Sequence, residues 1–307
     1  MTDPMPPNRE GQSPACRAGR CEHGCSLRRL SVAMDDVLRT LALLEHPAAI
    51  TENQVARLTQ VAAYADPGVP GGPFRVQPGW VSLRLDPDAL TGAMLIEPPH
   101  AEPGEAPVPE LRLCGADGRP VHRCHPLLPQ DRLVIEGLVR LGGGLPGSRL
   151  DVYPDGTTSG AEVPDQLQRI DDLLTWTTNR TPFLPHRHID PGAVVDVFEH
   201  ACAIGLPLGI AVFSDAAMHA VQNTVQSVAH AAGVAAVGTE EAILEIRPAD
   251  VQHCLLLRLH GPHGPTSSLE LYDHTERRVA LISQFGIVER GAHEGWEQLA
   301  GSLPELM

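Results

Sequence analysis

The sequence contains no lysine, so all 23 of its basic residues are arginines. This absence excludes a lysine nucleophile and a Schiff-base intermediate. No run of about 18 apolar residues occurs, so no transmembrane helix is predicted. The first residues, MTDPMPPNREGQSPAC, lack the apolar core of a secretory signal, and a cytoplasmic location is therefore expected. No nucleophile triad, carboxylate pair or nucleotide-binding fingerprint stands out, so the sequence identifies no catalytic residue.

The composition limits the classes of partner. The formal net charge is −15 at pH 7, which disfavours nucleic acid phosphates and anionic lipid as partners. A hydrophobic content of 42% and a charged content of 20% are typical of soluble globular proteins. The length of 307 residues suits two domains. Seven cysteines in a protein expected in the cytoplasm predict reduced thiols rather than a disulfide framework.

Three segments of the first half recur in the second half, in the same order and at offsets of 160, 161 and 158 residues. Their members are 36–47 with 196–207, 80–90 with 241–251, and 111–126 with the stretch 268–286, SLELYDHTERRVALISQFG. This repetition predicts an internal duplication of one unit, in which a helix is followed by a sheet. The alternative is that unrelated amphipathic segments share their apolar patterning.

The apolar periodicity predicts the following organisation. The expected domains are a disordered, cysteine-containing tail at 1–29, a first unit at 30–145, a linker at 146–163 and a second unit at 164–307. Helices are predicted at 30–44, 131–141, 165–177, 193–204 and 294–303. Strands are predicted within 48–64, at 80–85, in the hairpin 111–126, at 207–213, 241–246 and 253–259, and in the hairpin 268–286. Residues 216–237 have helical propensity, but the repeat predicts strands there, whereas 181–191 is predicted to be a loop.

The N-terminal tail contains one group of metal-ligating residue types. Cys16, Cys21, His23 and Cys25 lie within ten residues, and thiolates and imidazole are the ligands that zinc prefers. The spacing matches no standard zinc motif, so the alternative is a tail that carries unrelated thiols.

The stretch 268–286, followed by Trp296-Glu-Gln-Leu, resembles the closing segment S-L-E-L-F-D…I-A-Q-F-F-G…W of the HemS/ChuX-type haem-utilisation proteins, also called hemin-degrading factors. Residues 49–64, AITENQVARLTQVAAY, are similar to that family's A-I-T-R-N-x-x-A-V-H-E-Q-V-G-x-Y, and 117–123 are similar to its D-G-x-A-V-H-K hairpin. The resemblance implies an α+β fold in which two duplicated units form two large stacked antiparallel sheets with flanking helices. It also implies intracellular handling of haem.

The residues that hold haem in that family carry over poorly. The family's axial histidine lies on the helix that opens the second unit, and the corresponding residues 165–177 contain no histidine. Haem needs an axial donor and cations for its two propionates. The substitutes that the resemblance suggests are His186 and His188 as donors, Arg180, Arg258 and Arg290 as cations, and Phe285 from the closing motif, with His219 and His230 as further imidazoles.

Two functions follow from this resemblance. The first is an intracellular haem-binding, haem-trafficking or hemin-degrading-factor-like protein, with a haem importer or a reductase as its partner. The second is a non-catalytic binding module of the same fold that has lost haem and serves another planar ligand or a protein partner. The sequence leaves enzymatic activity undecided between them.

Overall fold

A computed structural model describes residues 26–65, 76–77, 79–86, 88–97, 108–141, 186–261, 264–285 and 289–306. The helices in this part of the chain are α1 (Met34–Leu41), α2 (Pro129–Leu141), α3 (Ala193–Ile204) and α4 (Arg290–Ser302), with one 3₁₀ turn at Pro248–Asp250. The strands are β1 (Ser26–Arg29), β2 (Pro47–Glu52), β3 (Ala56–Val61), β4 (Ala63–Tyr64), β5 (Trp80–Leu85), β6 (Leu90–Glu97), β7 (Glu110–Gly115), β8 (Pro120–Pro126), β9 (His186–Ile189), β10 (Pro207–Phe213), β11 (Ala217–Thr224), β12 (Ser227–Ala231), β13 (Val234–Gly238), β14 (Ala242–Ile246), β15 (His253–Gly261), β16 (Gly264–Tyr272) and β17 (Arg278–Ser283). Among the described helices, none is long and apolar enough to cross a membrane.

The strands form two large sheets. The nine-stranded sheet has the order β1-β6-β7-β8-β2-β3-β14-β13-β12, and the eight-stranded sheet has the order β4-β5-β11-β10-β17-β16-β15-β9. The run β6-β7-β8-β2-β3 is repeated as β15-β16-β17-β10-β11, and each half of the chain adds strands to the sheet of the other half. The predicted α+β fold of two duplicated units is therefore confirmed.

The two hairpins that revealed the repeat turn in related ways. In each turn an aspartate side chain, Asp117 or Asp273, accepts a hydrogen bond from a backbone N–H two to four residues further on. Such side-chain turns compete with regular structure and end strands. Helix α3 ends at Gly205, whose φ of 66° is a left-handed conformation that glycine adopts without steric cost.

Three segments differ from the sequence-based expectation. Residues 26–29, assigned to the tail, form β1 because their backbone pairs with β6 in antiparallel register. Residues 90–97 form β6, a strand that the proline turn before it did not indicate. His186–Ile189, assigned to a loop between prolines, forms β9 because it pairs with the edge of β15. Each of the three strands is stabilised by backbone pairing with a neighbouring strand. Their short or polar side-chain patterns did not predict this pairing.

The core lies between the inner faces of the two sheets, which are the faces turned toward each other, and under the four helices. One apolar cluster combines α3 and α4 with inner-face residues of both sheets, and a second combines α1 and α2 with the first unit. Trp296 and Leu299 of α4 are buried in the first cluster, as predicted. The burial of each such large side chain contributes about 1.5–3 kcal/mol to stability.

Reciprocal polar tethers join the two units. The Asn53 amide donates to the carbonyl oxygens of Phe213 and Val279 at 2.7 and 2.8 Å. Its Oδ1 accepts hydrogen bonds from the next turn of its own chain. In the opposite direction, the Ser214 hydroxyl donates to the carbonyl oxygen of Val121 at 2.8 Å. Each unit therefore satisfies backbone groups at strand ends of the other.

A buried imidazole network also crosses the space between the sheets. His122 bonds through Nδ1 to Thr51 Oγ1 at 2.8 Å and through Nε2 to the Tyr64 hydroxyl at 2.7 Å. His219, whose ring centroid lies 6.0 Å from that of His122, donates from Nε2 to Gln60 Oε1 at 3.0 Å. Burial lowers the pKa of His219 to about 3. Burial, then the neighbouring His219 and Arg123, lowers the pKa of His122 well below its usual value.

We predict that Asn53→Ala lowers the free energy of unfolding by about 2–4 kcal/mol, because it leaves several buried backbone groups without partners. Chemical denaturation measures this cost. Asn223→Ala is the matched control, since Asn223 Oδ1 accepts only from the next backbone N–H among the described contacts, and its cost should stay below about 1 kcal/mol. Equal costs for the two variants would refute the tether.

We also predict that stability falls as the pH drops below about 6.5, the usual pKa of histidine. The unfolded chain then binds protons that the folded chain excludes from His122 and His219, and each imidazole removes up to about 1.4 kcal/mol per pH unit. The loss from His219 continues down to about pH 3. Denaturation midpoints at several pH values should show a slope that His219→Gln reduces and that His200→Gln, at an exposed helix position, leaves unchanged. An unchanged slope in His219→Gln would contradict this account.

Candidate ligand-binding face

The outer face of the eight-stranded sheet, which is the face turned away from the other sheet, carries three rows of side chains that follow the strand register. The first row contains His186, Leu257, Ser268, Ser283, Gly209 and Gln222. The second contains His188, Leu255, Glu270, Leu281, Ala211, Ala220 and Ser82. The third contains His253, Tyr272, Arg278, Phe213, Met218 and Arg84. All four described helices pack in the clusters of the inner side, yet most of this outer face is buried.

The middle of this outer face is a floor of small residues. It consists of Ser283, Gly209, Ala211, Ala220 and Ser82, which lie on the four neighbouring strands β17, β10, β11 and β5. The Phe285 ring lies so close to Gly209 that a Cβ at this position would clash with it. Small side chains therefore let the Phe285 ring approach the sheet backbone, and the floor is almost fully buried.

Larger side chains flank the floor. Phe285 forms one cluster with Met218 and Leu281, while Tyr272 forms another with Leu255 and Leu257. The result is an apolar bed with aromatic groups at its margins, which is the usual lining of sites for flat organic ligands.

A buried ion pair lies at one end of the floor. Arg278 Nε donates to Glu270 Oε2 at 3.1 Å, and both side chains are almost fully buried, with 2% and 0% exposed. The Tyr272 hydroxyl donates to the same carboxylate oxygen. The guanidinium carbon also lies 5.8 Å from the ring centroid of Phe213 and 5.9 Å from that of Tyr272. Burial, and then the charge of Glu270, raises the pKa of Tyr272 to about 12.

A strand irregularity produces this arrangement. The register of β16 against β17 shifts between Leu271 and Tyr272, so Tyr272 lies opposite Arg278. Without this bulge Tyr272 would lie opposite Val279, and Arg278 would not lie opposite Tyr272. Bulges commonly redirect a side chain next to a functional site.

Two buried oxygen atoms of this face have no hydrogen-bond partner in the part of the chain that the structure describes. They are Ser268 Oγ and Glu270 Oε1. An unsatisfied buried polar atom costs about 1–3 kcal/mol, so native proteins rarely leave one without water or a ligand. The group therefore indicates that something polar contacts the face.

Three imidazoles line the β9 end of the face. The ring centroids of His186 and His188 are 5.2 Å apart, and that of His253 is 6.2 Å from His188. His186 and His188 are half-buried, so they remain accessible.

The structure brings together only part of the site expected from the sequence. His186, His188 and Phe285 share the outer face. Arg258 lies on the inner-face side of β15, is 62% exposed and contacts Glu297 at 3.8 Å. Arg290 is exposed at the first residue of α4.

The remaining predicted residues lie elsewhere. His219 is buried between the sheets, and His230 lies on the edge strand β12, 3.2 Å from Glu199. The other predicted residues, Arg180 and the group Cys16, Cys21, His23 and Cys25, lie outside the described residues.

Sequence reasoning missed the polar residues of the face. Ser268, Glu270 and Tyr272 alternate along one strand and therefore share a face, which their spacing in SLELY already indicates. Arg278 required knowledge of the bulge, and its spacing alone gave no signal.

No family model and no curated protein sequence matches this chain. Solved structures do match it. Holo-PhuS, a heme-binding protein from Pseudomonas aeruginosa, has a TM-score of 0.68 and 18% identity, with 91% of this chain and 87% of that chain covered. The heme degrading enzyme ChuS from Escherichia coli O157:H7 has a TM-score of 0.69 and 14% identity, with 90% of this chain and 86% of that chain covered. Over nine tenths of its length, the chain therefore has the two-unit fold of PhuS and ChuS, as its resemblance to the HemS-type proteins implied.

Proposed function

We propose that the outer face of the eight-stranded sheet binds haem, or a closely related planar tetrapyrrole, as a carried ligand. The observation that carries the proposal is the pair of half-buried imidazoles at the β9 edge of this face, which also carries a floor of small residues and the Phe285 ring. The shared fold with a heme-binding protein and a heme degrading enzyme supports it. A cytoplasmic role, with a haem importer or a reductase as partner, belongs to the same proposal.

The residues of the face fit the chemical requirements of haem. His188, with His186 beside it, would serve as the axial donor. The guanidinium groups of Arg278 and Arg84 lie across the sheet from these imidazoles, and three strand spacings separate His188 from the strand of Arg278, which is about 14 Å. The apolar floor and Phe285 would cover the ring and exclude water. When bound, the iron would supply redox chemistry, and the protein would hold and orient the macrocycle.

The proposal assigns no propionate contact to Arg258 or Arg290, because neither is among the side chains of this face. Arg180 as a further cation, and the N-terminal cysteine group as a zinc site, stay predictions from the sequence.

A second candidate is a different flat ligand that carries N–H or O–H donors. Two observations favour it. Glu270 compensates the charge of Arg278, and Glu270 Oε1, which has no partner among the described residues, is an acceptor. A ligand with a donor would satisfy this acceptor, whereas a haem propionate would not.

Titration of the purified protein with hemin, followed at the Soret band, tests the first candidate. We expect a saturable one-to-one shift, and about tenfold or more weaker binding in His188→Ala, because an axial donor is removed.

The matched control is His200→Ala, which removes one exposed imidazole from α3 and should bind hemin as the parent protein does. A spectrum identical to that of free hemin with the parent protein would refute the haem proposal. Equal losses in His188→Ala and His200→Ala would place hemin elsewhere.

Glu270→Gln separates the two candidates because it keeps the side-chain size and removes the charge that compensates Arg278. Hemin should bind severalfold more tightly, since removing the Glu270 carboxylate strengthens the attraction of the Arg278 charge for a propionate. Glu297→Gln, on the other side of the sheet, should not change hemin binding. Weaker hemin binding in Glu270→Gln would contradict the assignment of Arg278 to a propionate and favour the donor-bearing ligand.

A further inference from the structure

The edge of the nine-stranded sheet at β12 lacks the protection that the other three sheet edges of the described chain have. Strand β1 carries Arg28 and Arg29, β4 is only two residues long, and β9 accepts a hydrogen bond on its outer side from the N–H of Leu306. Strand β12 reads Ser-Val-Ala-His-Ala and contains no arginine, no carboxylate, no proline and no register irregularity. Such an edge is open to pairing with another strand.

The turn after β12 determines which backbone groups of this strand are used within the sheet. Ala232 and Gly233, with φ of 50° and 81°, form a two-residue turn of the kind that joins antiparallel strands. The residues on either side of this turn, Ala231 and Val234, therefore form a hydrogen-bonded pair of the β12–β13 ladder.

The alternation of this ladder leaves two residues of β12 with free backbone groups. Hydrogen-bonded pairs recur at every second residue, so Ala229 bonds to Ala236 of β13 in the same way. Val228 and His230 lie between the bonded pairs, and their N–H and C=O groups point away from the sheet. No other backbone hydrogen bond of the described residues reaches these groups, and four of the five residues of β12 are exposed.

These free groups complement a second copy of themselves. When two β12 strands pair antiparallel about a two-fold axis at Ala229, Val228 of each copy lies opposite His230 of the other. Each of these pairs exchanges two hydrogen bonds, so the pairing forms four without changing the ladder inside either copy. Two alanine side chains meet at the axis, and Ser227 lies opposite Ala231, so the side chains on this face of the contact are small.

We propose that β12 is a dimerisation edge, through which two copies of this chain join their nine-stranded sheets about a two-fold axis at Ala229. Two-fold dimers are the commonest closed oligomers, and their contacts are self-complementary in this way. One strand pair buries little surface, so the dimer is weak and reversible. The inference is independent of the haem proposal, because β12 and the proposed ligand face belong to different sheets.

Sedimentation equilibrium of the whole chain tests the dimer, with a reductant present so that cysteines cannot cross-link two copies. We expect reversible exchange between monomer and dimer at about 10 µM to 1 mM protein. Ala229→Lys and Ala229→Glu should each raise the dissociation constant about tenfold or more, because two like charges then meet at the axis. An equimolar mixture of the two variants should dimerise again, because opposite charges then face each other.

Ala236→Lys is the matched control, because it places the same charge on the neighbouring strand β13 and should dimerise as the parent protein does. Circular dichroism of each variant establishes that it is folded. A parent protein that stays monomeric up to about 1 mM would overturn the proposal. A dimer that persists in both Ala229 variants, or a mixture of them that fails to associate, would overturn it as well.

A second pair of variants tests the backbone hydrogen bonds themselves. His230→Pro removes an N–H that donates across the axis but is unused in the β12–β13 ladder, and edge strands accept proline at such positions. The dissociation constant should again rise about tenfold or more, because two hydrogen bonds of the dimer are lost. His230→Ala keeps this N–H, removes only the imidazole beside Glu199, and should dimerise as the parent protein does. Equal dissociation constants for these two variants would contradict the proposed pairing.

Discussion

Strand exchange between the two halves is the constraint on which the rest of the structure depends. The first half pairs β3 with β14, where Leu58 lies opposite Leu244, and the second half pairs β11 with β5, where His219 lies opposite Leu83. Neither half can complete its sheet alone, because these pairings supply the hydrogen bonds of otherwise open edges. Asn53 and Ser214 then tie the strand ends of each unit to the other. The two units should therefore unfold together rather than as separate domains.

This exchange also makes the two faces of the eight-stranded sheet different. The inner faces contact each other, and His122 has a partner from each sheet, Thr51 and Tyr64. Nδ1 of His219 has no partner among the described residues. Side chains alternate along a strand, so burying the inner set leaves the other set on the outer face. The outer face of the eight-stranded sheet combines a small-residue floor with polar atoms that the described chain does not satisfy. The ligand site that we propose therefore lies on the outside of this sheet.

Much of the fold could be predicted from the sequence, because period-two alternation and the constant offset between the halves are local signals. They identified the strand at Pro207–Phe213, the helix at Ala193–Ile204 and the duplication itself. The site was less accessible to sequence reasoning. The prolines around His186 suggested a loop, whereas pairing with β15 makes this segment a strand. The position of Arg278 depends on a bulge, and a bulge depends on how two strands meet rather than on either strand alone.

The stability of the fold gives little reason for the buried Glu270–Arg278 pair. Removing two charges from water costs several kcal/mol per ion, and apolar replacements of buried ion pairs are often neutral or stabilising. Here one carboxylate oxygen receives both Arg278 and Tyr272, while the other has no partner among the described residues. A pair that served only to hold the sheet together would gain more from satisfying both oxygens. The second oxygen would accept a hydrogen bond from the ligand proposed for this face.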